Sequence, residues 1–527
     1  MIPRVIHQTW KDKILPVPKE WPESWRLHNP GWDHRIWTDD DLLQLVRHHY
    51  PSLEPLYQSY SSQIQRADLG RYLILHHSGG IYADIDTDCI SSAEMLHNES
   101  RVILCCEPSE QIDLATAHGL DHLLFNGVMA SPRGHDFWEH VIRVAQRSRH
   151  ADPLVLESTG PLMLTGAAQS YPHPEMLSIN SCHLFTPAMS TGTDSADPIY
   201  GEHAQLRISR HHWRGSWFEY GKKRRGIRRL KDRFRKLRYH LMRGPFLTKE
   251  EIAATIDTDT LVQPVQASDD KVLILIPVRD AGPFLDRCFE LLHRLDYPRN
   301  KMRVIFCEGD SKDDTVARLQ SLVARYSGDF AELRVIHLST GLPIARAKRS
   351  KRKLQKRRRA ALAKVRNHLI DAGLTDQDDW VLWIDADVCD YPADILKRLV
   401  GEKEKVITPD CRRETGGRSF DLNSFLECRE TKANPYYKYV SRGLFMPPAD
   451  FERRRHLHTM RFLERVPLSA VGGTMLLVHA SVHRAGLRFP EIPYDDLLET
   501  EAFGRMCRDL GVTPIGLPNI EILHVMT

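Results

Sequence analysis

The sequence predicts an α/β protein of two domains in tandem, joined by a basic helix. Three observations carry this expectation. At 527 residues the chain exceeds what one ordinary core fills, so two domains fit it better than one. From Lys271 onward apolar strands alternate with amphipathic helices, the pattern of a mostly parallel sheet with crossovers on its faces. An Asp-x-Asp pair also follows an apolar run twice, at Asp84 and Asp86 and again at Asp385 and Asp387. The domains are expected over residues 1–221 and 269–527, with 222–268 as the connection.

In chain order, PRVIHQTW reads as a strand, PVPKEWPESW as a Pro- and Trp-rich loop, and Trp32 to Trp37 as a second short strand. Trp10, Trp21 and Trp25 read first as core, the usual place of large aromatic residues. Asp39 to Tyr50 predicts a helix capped by Thr38 or Asp39. Ser61 to His77 carries Ile64, Ala67, Leu69, Tyr72, Leu73 and Leu75 at helical spacing and runs into Gly79-Gly80. Within it Asp68 and Arg71 stand three apart. They are either a surface ion pair or an acid and a cation for a bound sugar and phosphate.

Next comes IYADID, where Ile81 to Ile85 predicts a buried strand whose alternation sends Asp84 and Asp86 to one side. Converging carboxylates repel unless a cation lies between them. Hard oxygen ligands of this kind suit Mg²⁺ or Mn²⁺, with the remaining ligands taken from a substrate diphosphate. A calcium loop is excluded, because Cys89 and Met95 occupy the positions that would need Gly and Glu. A solvated acidic turn is the plain alternative.

The formal charge of +4 conceals two basic blocks. Residues 222–243 hold 12 Lys/Arg with one acid, and residues 345–366 hold 12 with none, so the rest of the chain is acidic. In the first block Ile227, Leu230, Phe234, Leu237 and Leu241 form one apolar stripe, which Gly244-Pro245 ends. This reads as a linker helix docked on a domain or as an interfacial helix drawn to anionic lipid. No reader motif accompanies the charge, and nucleic acid is not expected as a partner. The ten cysteines show no paired metal spacing, which fits a reducing compartment. Met1 leads straight into MIPRVIHQTW with no leader pattern, and no apolar run approaches a bilayer span. The expected setting is cytoplasmic, with peripheral contact at the inner face of a membrane.

The second half predicts a strand KVLILIPV, a helix from Pro283 to Leu295, a strand MRVIFC, a helix opened by GDSKDDT and running to Tyr326, and a strand near Leu333 to Leu338. Arg279, Glu308 and Asp310 fall at the carboxyl ends of these strands, where open α/β sheets bind ligands. The second basic block reads as a loop that grips phosphates or lipid. Val381 to Ile384 is a buried strand by composition, and Asp385 and Asp387 end it as Asp84 and Asp86 end the first.

Two resemblances follow from these motifs. IPRVIHQTW, NPGW, RADLGRYLIL, GGIYADID, Asn126-Gly127-Val128-Met129, Thr159-Gly160-Pro161 and HHWRGSW, over roughly residues 1–221, resemble the DXD glycosyltransferases of family 32, which include the fungal initiating α-1,6-mannosyltransferases. The resemblance implies that Asp84, Asp86 and His211 hold the metal and that Asp68 and Arg71 bind the donor sugar. It implies further that Trp10 lines the nucleotide pocket and that Ser216 and Trp217 close over the phosphates. PVRDAGPFL, Arg366-Asn367, WVLWIDADV, DLNSF, VGGTMLLVHASVHRAGLRFP and ETEAFGRMCRDLGVTPIGLPNIEILHV, over roughly 269–527, resemble the family 62 mannan-polymerase mannosyltransferases. By that likeness Asp385 and Asp387 bind Mn²⁺, Arg279, Glu308 and Asp310 face the nucleoside, Arg366 faces the phosphates, and Glu501 and His524 border the reaction centre. Together the resemblances imply two Rossmann-like GT-A type domains with one Mn²⁺ or Mg²⁺ each, and α-linked transfer with retention to a growing glycan or to a lipid-linked or cell-surface polysaccharide. The donor implied is GDP-mannose, a UDP-sugar staying open for the N-terminal half. Either half could instead be a silent glycan-binding or scaffold module.

Overall fold

The computed structural model describes all residues except 13, 15–16, 150–153, 188–192, 214–243, 267, 343–350, 429–435, 442, 452 and 526–527. Ser216, Trp217, the stripe of the first basic block and the start of the second therefore lie outside the described residues. The chain divides into two compact units, residues 1–224 with 459–464, and residues 225–458 with 465–527.

The first unit is built on a six-stranded sheet. In chain order its strands are β1 (Val5–Thr9), β2 (Asp33–Trp37), β3 (Gly80–Ala83), β5 (Val102–Cys106), β6 (Leu124–Ser131) and β7 (Leu177–Asn180), after a small β4 (Thr87–Cys89) that stands apart from it. Their spatial order is β2-β1-β3-β6-β5-β7. All run one way but β6, so the carboxyl ends of β1, β3 and β5 share an edge. Every residue of β1, β3, β5 and β6 is buried, which explains the apolar runs of β3 and β5, whereas in β1 the buried His7, Gln8 and Thr9 each find a hydrogen-bond partner. Gly80 is required where it stands: its φ is +93°, and a Cβ there would lie 2.4 Å from the Val5 carbonyl oxygen. Only glycine lets β3 lie this close to β1.

Local signals account for the helices. Thr38 caps Asp39–His49 in a reciprocal box with Asp41, and Ser62 caps Gln63–Ser78 in another with Gln65. Leu42, Val46, Tyr57, Leu69 and Leu73 form a core between these helices, while Trp25, Ile6, Ile81, Ile103 and Phe125 form a second core at the sheet. Two expectations need correction. Part of the Pro- and Trp-rich stretch is a helix, Glu20–His28, because Trp25 buries fully and draws the segment onto the sheet core. The strand expected to Ile85 stops at Ala83, so Asp84 and Asp86 sit in a turn before β4 rather than at alternate strand positions.

The second unit carries a nine-stranded mixed sheet. Its strands include β9 (Val272–Val278), β10 (Met302–Glu308), β11 (Glu332–His337), β12 (Trp380–Ile384), β13 (Val388–Asp390) and β14 (Val406–Arg412). The run β11-β10-β9-β12 is parallel. It continues through strand Met475–His479 and β14 to the long strand Ile515–His524, whose end pairs with β13. The second basic block differs from the loop expected: Arg352–Gly373 is a helix packed on β9 and β10. Its apolar side, with Ala363, Leu369 and Ile370 buried, supplies the docking that its charge obscured. Part of the expected connection also folds here, with Leu261 buried and Leu247 bridging Tyr494. All ten cysteines are free thiols, and no described helix is long and apolar enough to cross a membrane.

Phe306 on β10 is fully buried and stacks on Phe289 with ring centroids 5.2 Å apart. Phe306→Ala is expected to lower the unfolding free energy of this unit by about 3–5 kcal/mol, read from the denaturant midpoint at unchanged slope.

Candidate functional site

The first centre forms where the chain leaves β3. Asp84 follows the last strand residue, Asp86 ends the turn, and β4 then pairs antiparallel with β8 (Ser209–His211), Thr87 facing His211. That register carries His211 Nε2 to 3.2 Å from Asp86 Oδ1. One ligand atom each from Asp84, Asp86 and His211 lies within 4.8 Å of the others. Two carboxylate oxygens and one imidazole nitrogen fit Mn²⁺ well and Mg²⁺ less well, since imidazole suits the transition ion. The Trp213 N–H donates to His211 Nδ1 at 3.3 Å, so the neutral ring carries its proton on Nε2 and gives it to Asp86. Binding a cation through Nε2 displaces that proton.

Behind Asp84 lies Arg71, buried and three-way engaged. Its guanidinium meets Asp84 Oδ1 at 3.2 Å and Asp68 Oδ1 at 2.9 Å, donates to the Asn126 carbonyl at 2.8 Å, and lies 4.8 Å from the Tyr82 ring centroid. The Tyr82 hydroxyl also donates to Asp84 Oδ1 at 2.8 Å. Burial raises the pKa of Asp84, with Arg71 opposing it. Burial pushes Asp68 up to about 6, although Arg71, Thr159 and Asn126 all favour its charged form. The expected surface ion pair is thus a buried one, and Asp68 has its oxygens committed to protein groups. Trp10 follows β1 at the same edge, its indole N–H buried without a partner among the described residues.

The second centre repeats the construction. Asp385 follows β12, Asp387 ends the turn, and β13 pairs antiparallel with the end of Ile515–His524, Val388 facing His524. His524 Nε2 reaches Asp387 Oδ1 at 3.1 Å. Arg366 comes from the helix before the strand. It meets Asp385 Oδ1 at 3.4 Å and Glu499 Oε1 at 2.9 Å, and lies 5.1 Å from the ring of Trp383, which stands two residues before Asp385 as Tyr82 does before Asp84. Burial raises the Asp385 pKa against the pull of Arg366, and Asp387, Glu499 and Asp421 add to the rise. Burial works to lower the His524 pKa, yet the bond to Asp387 leaves it raised. Among the described residues Asp385, Asp387 and His524 do not gather as tightly as the first triplet.

Other expected residues take varied places. Arg366 is 1% exposed, beneath the carboxylates rather than open to a ligand, and its Nη1 is buried without a partner among the described residues. Glu501 is held between Arg359 and Arg454, which keep its carboxyl below the usual range despite burial. Glu308 and Asp310 do lie at the carboxyl end of β10. Glu308 accepts from the Ser311 N–H and contacts His337, while Asp310 accepts from Ser339 and Thr340. Arg279 donates to the Leu342 carbonyl at 2.7 Å. Sequence reasoning missed Glu499 and Asp421. Glu499 holds φ at +58°, a strained backbone for a side chain that clamps Arg366, and Asp421 accepts from the Thr474 hydroxyl at 2.9 Å. Their signals, the paired acids of ETE and the acid of DLNSF, were visible without being assigned.

Comparison with known proteins finds two families. The Anp1 family matches residues 255–493, and the family described as glycosyltransferase sugar-binding region containing DXD motif matches residues 19–103. The chain is 31% identical over 274 residues to the mannan polymerase complex subunit mnn9 of Schizosaccharomyces pombe, covering 48% of this chain and 80% of that protein. It is 32% identical over 174 residues to inositol phosphoceramide mannosyltransferase 1 of the same yeast, covering 31% of this chain and 50% of that protein. Among solved structures it is similar to a mannosyltransferase of Pyrobaculum calidifontis in complex with GDP-Man and Mn²⁺. That similarity has a TM-score of 0.30 and 15% identity, and covers 56% of this chain and 65% of the other.

Two outcomes follow from the charges. Because Asp68 has a folded pKa of about 6 against an ordinary 3.8, folding favours its protonated form; that stability is complete below 3.8 and is lost as pH rises through about 6. The melting temperature of metal-free protein is expected to fall across this window, and Asp68→Asn to flatten the slope; an equally steep slope in the variant would refute this. Glu501→Ala leaves two buried guanidinium groups without their counter-charge, and denaturant unfolding is expected to show a loss of about 3–5 kcal/mol.

Proposed function

The chain belongs to the Anp1 family, and from that membership we propose that it is a bifunctional, metal-dependent retaining glycosyltransferase that transfers mannose from GDP-mannose in at least its C-terminal half. The observation that carries the reading is the repeated construction: a helix-borne arginine on the first aspartate, a histidine on the second, and the same strand register in both units. Growing glycan is the acceptor class proposed, and a UDP-sugar stays open as donor for the first unit.

Asp84, Asp86 and His211 would hold a divalent cation in the first centre, and Asp385 and Asp387, with His524 behind Asp387, in the second. A cation so bound would supply Lewis acidity to a departing diphosphate. The protein's own groups set the stage. Arg71 and Arg366 oppose the rise that burial imposes on the first carboxylate and so favour its ionised, ligand-ready form. Each also places fixed positive charge beneath the edge where negative charge grows on the leaving group. Arg279, Glu308 and Asp310 line the edge of β9 to β11 proposed for the nucleoside.

A second reading rests on the looser donor set of the second centre: one active transferase, the other unit binding glycan or serving as scaffold. Separate double variants distinguish the two. Asp84→Ala with Asp86→Ala, and Asp385→Ala with Asp387→Ala, are assayed for metal-dependent turnover of GDP- and UDP-sugars. Bifunctionality predicts that each pair abolishes one product by at least about a hundredfold and spares the other. If either pair keeps every wild-type product, the chain has a single active centre.

A further inference from the structure

We propose that helix Glu20–His28 is the positioning element of the first centre, and that Trp21 with His212 and Asp88 forms the latch through which it acts; this rests on reading Asp84, Asp86 and His211 as cation ligands. The need for such an element follows from the size of the ladder. β4 and β8 pair over three residues only, and a two-stranded ribbon this short has little stability of its own. Yet it sets where His211 stands relative to Asp86.

One face of the helix supplies the missing support. Trp21 stacks on His212 with ring centroids 3.7 Å apart and planes 2° apart, and His212 Nε2 lies 2.9 Å from Asp88 Oδ1. The hydroxyl of Ser24 accepts from the Cys89 N–H at 2.8 Å. Trp25 donates its indole N–H to the Thr87 hydroxyl, which donates in turn to the Asp84 carbonyl at 2.6 Å. Residues 21, 24 and 25 are neighbours on a helix surface, so a single face grips β4, whose start hydrogen-bonds the Asp84 turn, and His212, the residue that follows β8. His212 also donates its backbone N–H to the Asp86 carbonyl at 3.0 Å.

The two neighbouring histidines therefore divide the work. His211 turns toward Asp86 and the cradle. Held by Asp88 and covered by Trp21, His212 pins the chain directly after the strand that carries His211. Trp25 is fully buried and serves the core as well, whereas Trp21 is only half-buried, so its removal tests the latch with least damage to the fold. Removing contacts that orient metal ligands typically costs about 10- to 100-fold in metal affinity.

The test measures Mn²⁺ binding to the full chain by electron paramagnetic resonance, in an Asp385→Ala, Asp387→Ala background that leaves the first centre alone. Trp21→Ala is expected to weaken Mn²⁺ binding by about 10- to 100-fold and to reduce the nitrogen modulation from His211. Trp21→Phe, which keeps a stacking ring, should restore both. His212→Phe keeps the stack without the bond to Asp88 and should fall between them. Leu27→Ala, on an exposed position of the same helix, should bind as the parent does. Parent-like affinity and nitrogen modulation in both Trp21→Ala and His212→Phe overturn the latch while leaving the cation site standing. Absence of Mn²⁺ binding in the parent overturns the cation site and the latch together.

Discussion

Everything at the two centres depends on a buried guanidinium that holds the first aspartate of each pair. A carboxylate at the end of a buried strand loses most of its hydration and reverts to its neutral form unless a counter-charge stands beside it. Arg71 and Arg366 are those counter-charges. Neither could sit there uncompensated, so each is backed by a further acid, Asp68 or Glu499, and faces an aromatic ring, Tyr82 or Trp383. The helix before the strand, the aromatic residue two places before the aspartate and the second acid are parts of one electrostatic unit. Remove the arginine and the remaining parts repel.

The two versions differ in how closed they are. In the first, Asp68, Asn126 and Thr159 complete a buried wall behind the arginine, and donor atoms of Asp84, Asp86 and His211 meet tightly. In the second, Asp421 and Glu499 add negative charge around Asp385, and the histidine leans on Asp387. A site with surplus negative charge attracts cations from a distance, while a site with preset ligands selects among them. The chain thus carries one architecture at two settings.

Much of this was legible in the sequence. Both Asp-x-Asp pairs follow apolar strands as their spacing suggested, and the long apolar strands matched their windows, whereas Arg71 and Arg366 lie buried behind the first aspartate of each pair. Misreadings arose where tertiary contacts overrule local pattern. PVPKEWPESW looks like a loop by its prolines, but Trp25 has a core to enter and Pro22 occupies the first turn, where a missing N–H costs nothing. The Asp84 turn reads as strand because period-two alternation continues through it, whereas convergence comes from β8 facing β4. The charge of residues 345–366 hid an apolar stripe. Glu499 could not be separated from Glu501 on paper, since two acids two apart take opposite directions only once the backbone at 499 is known.

The strand pairings at β4 and β13 have a consequence for how such a protein comes into being. Each histidine is more than a hundred residues downstream of the aspartate it meets, so the inner half of each cradle leaves the ribosome long before the outer half. Contacts of such separation form late, after local helices and parallel strands have condensed. Until then the nascent domain presents a carboxylate pair with no imidazole, a donor set of hard oxygens alone. The mixed oxygen and nitrogen donor set of each cradle is complete only once the downstream strand has paired.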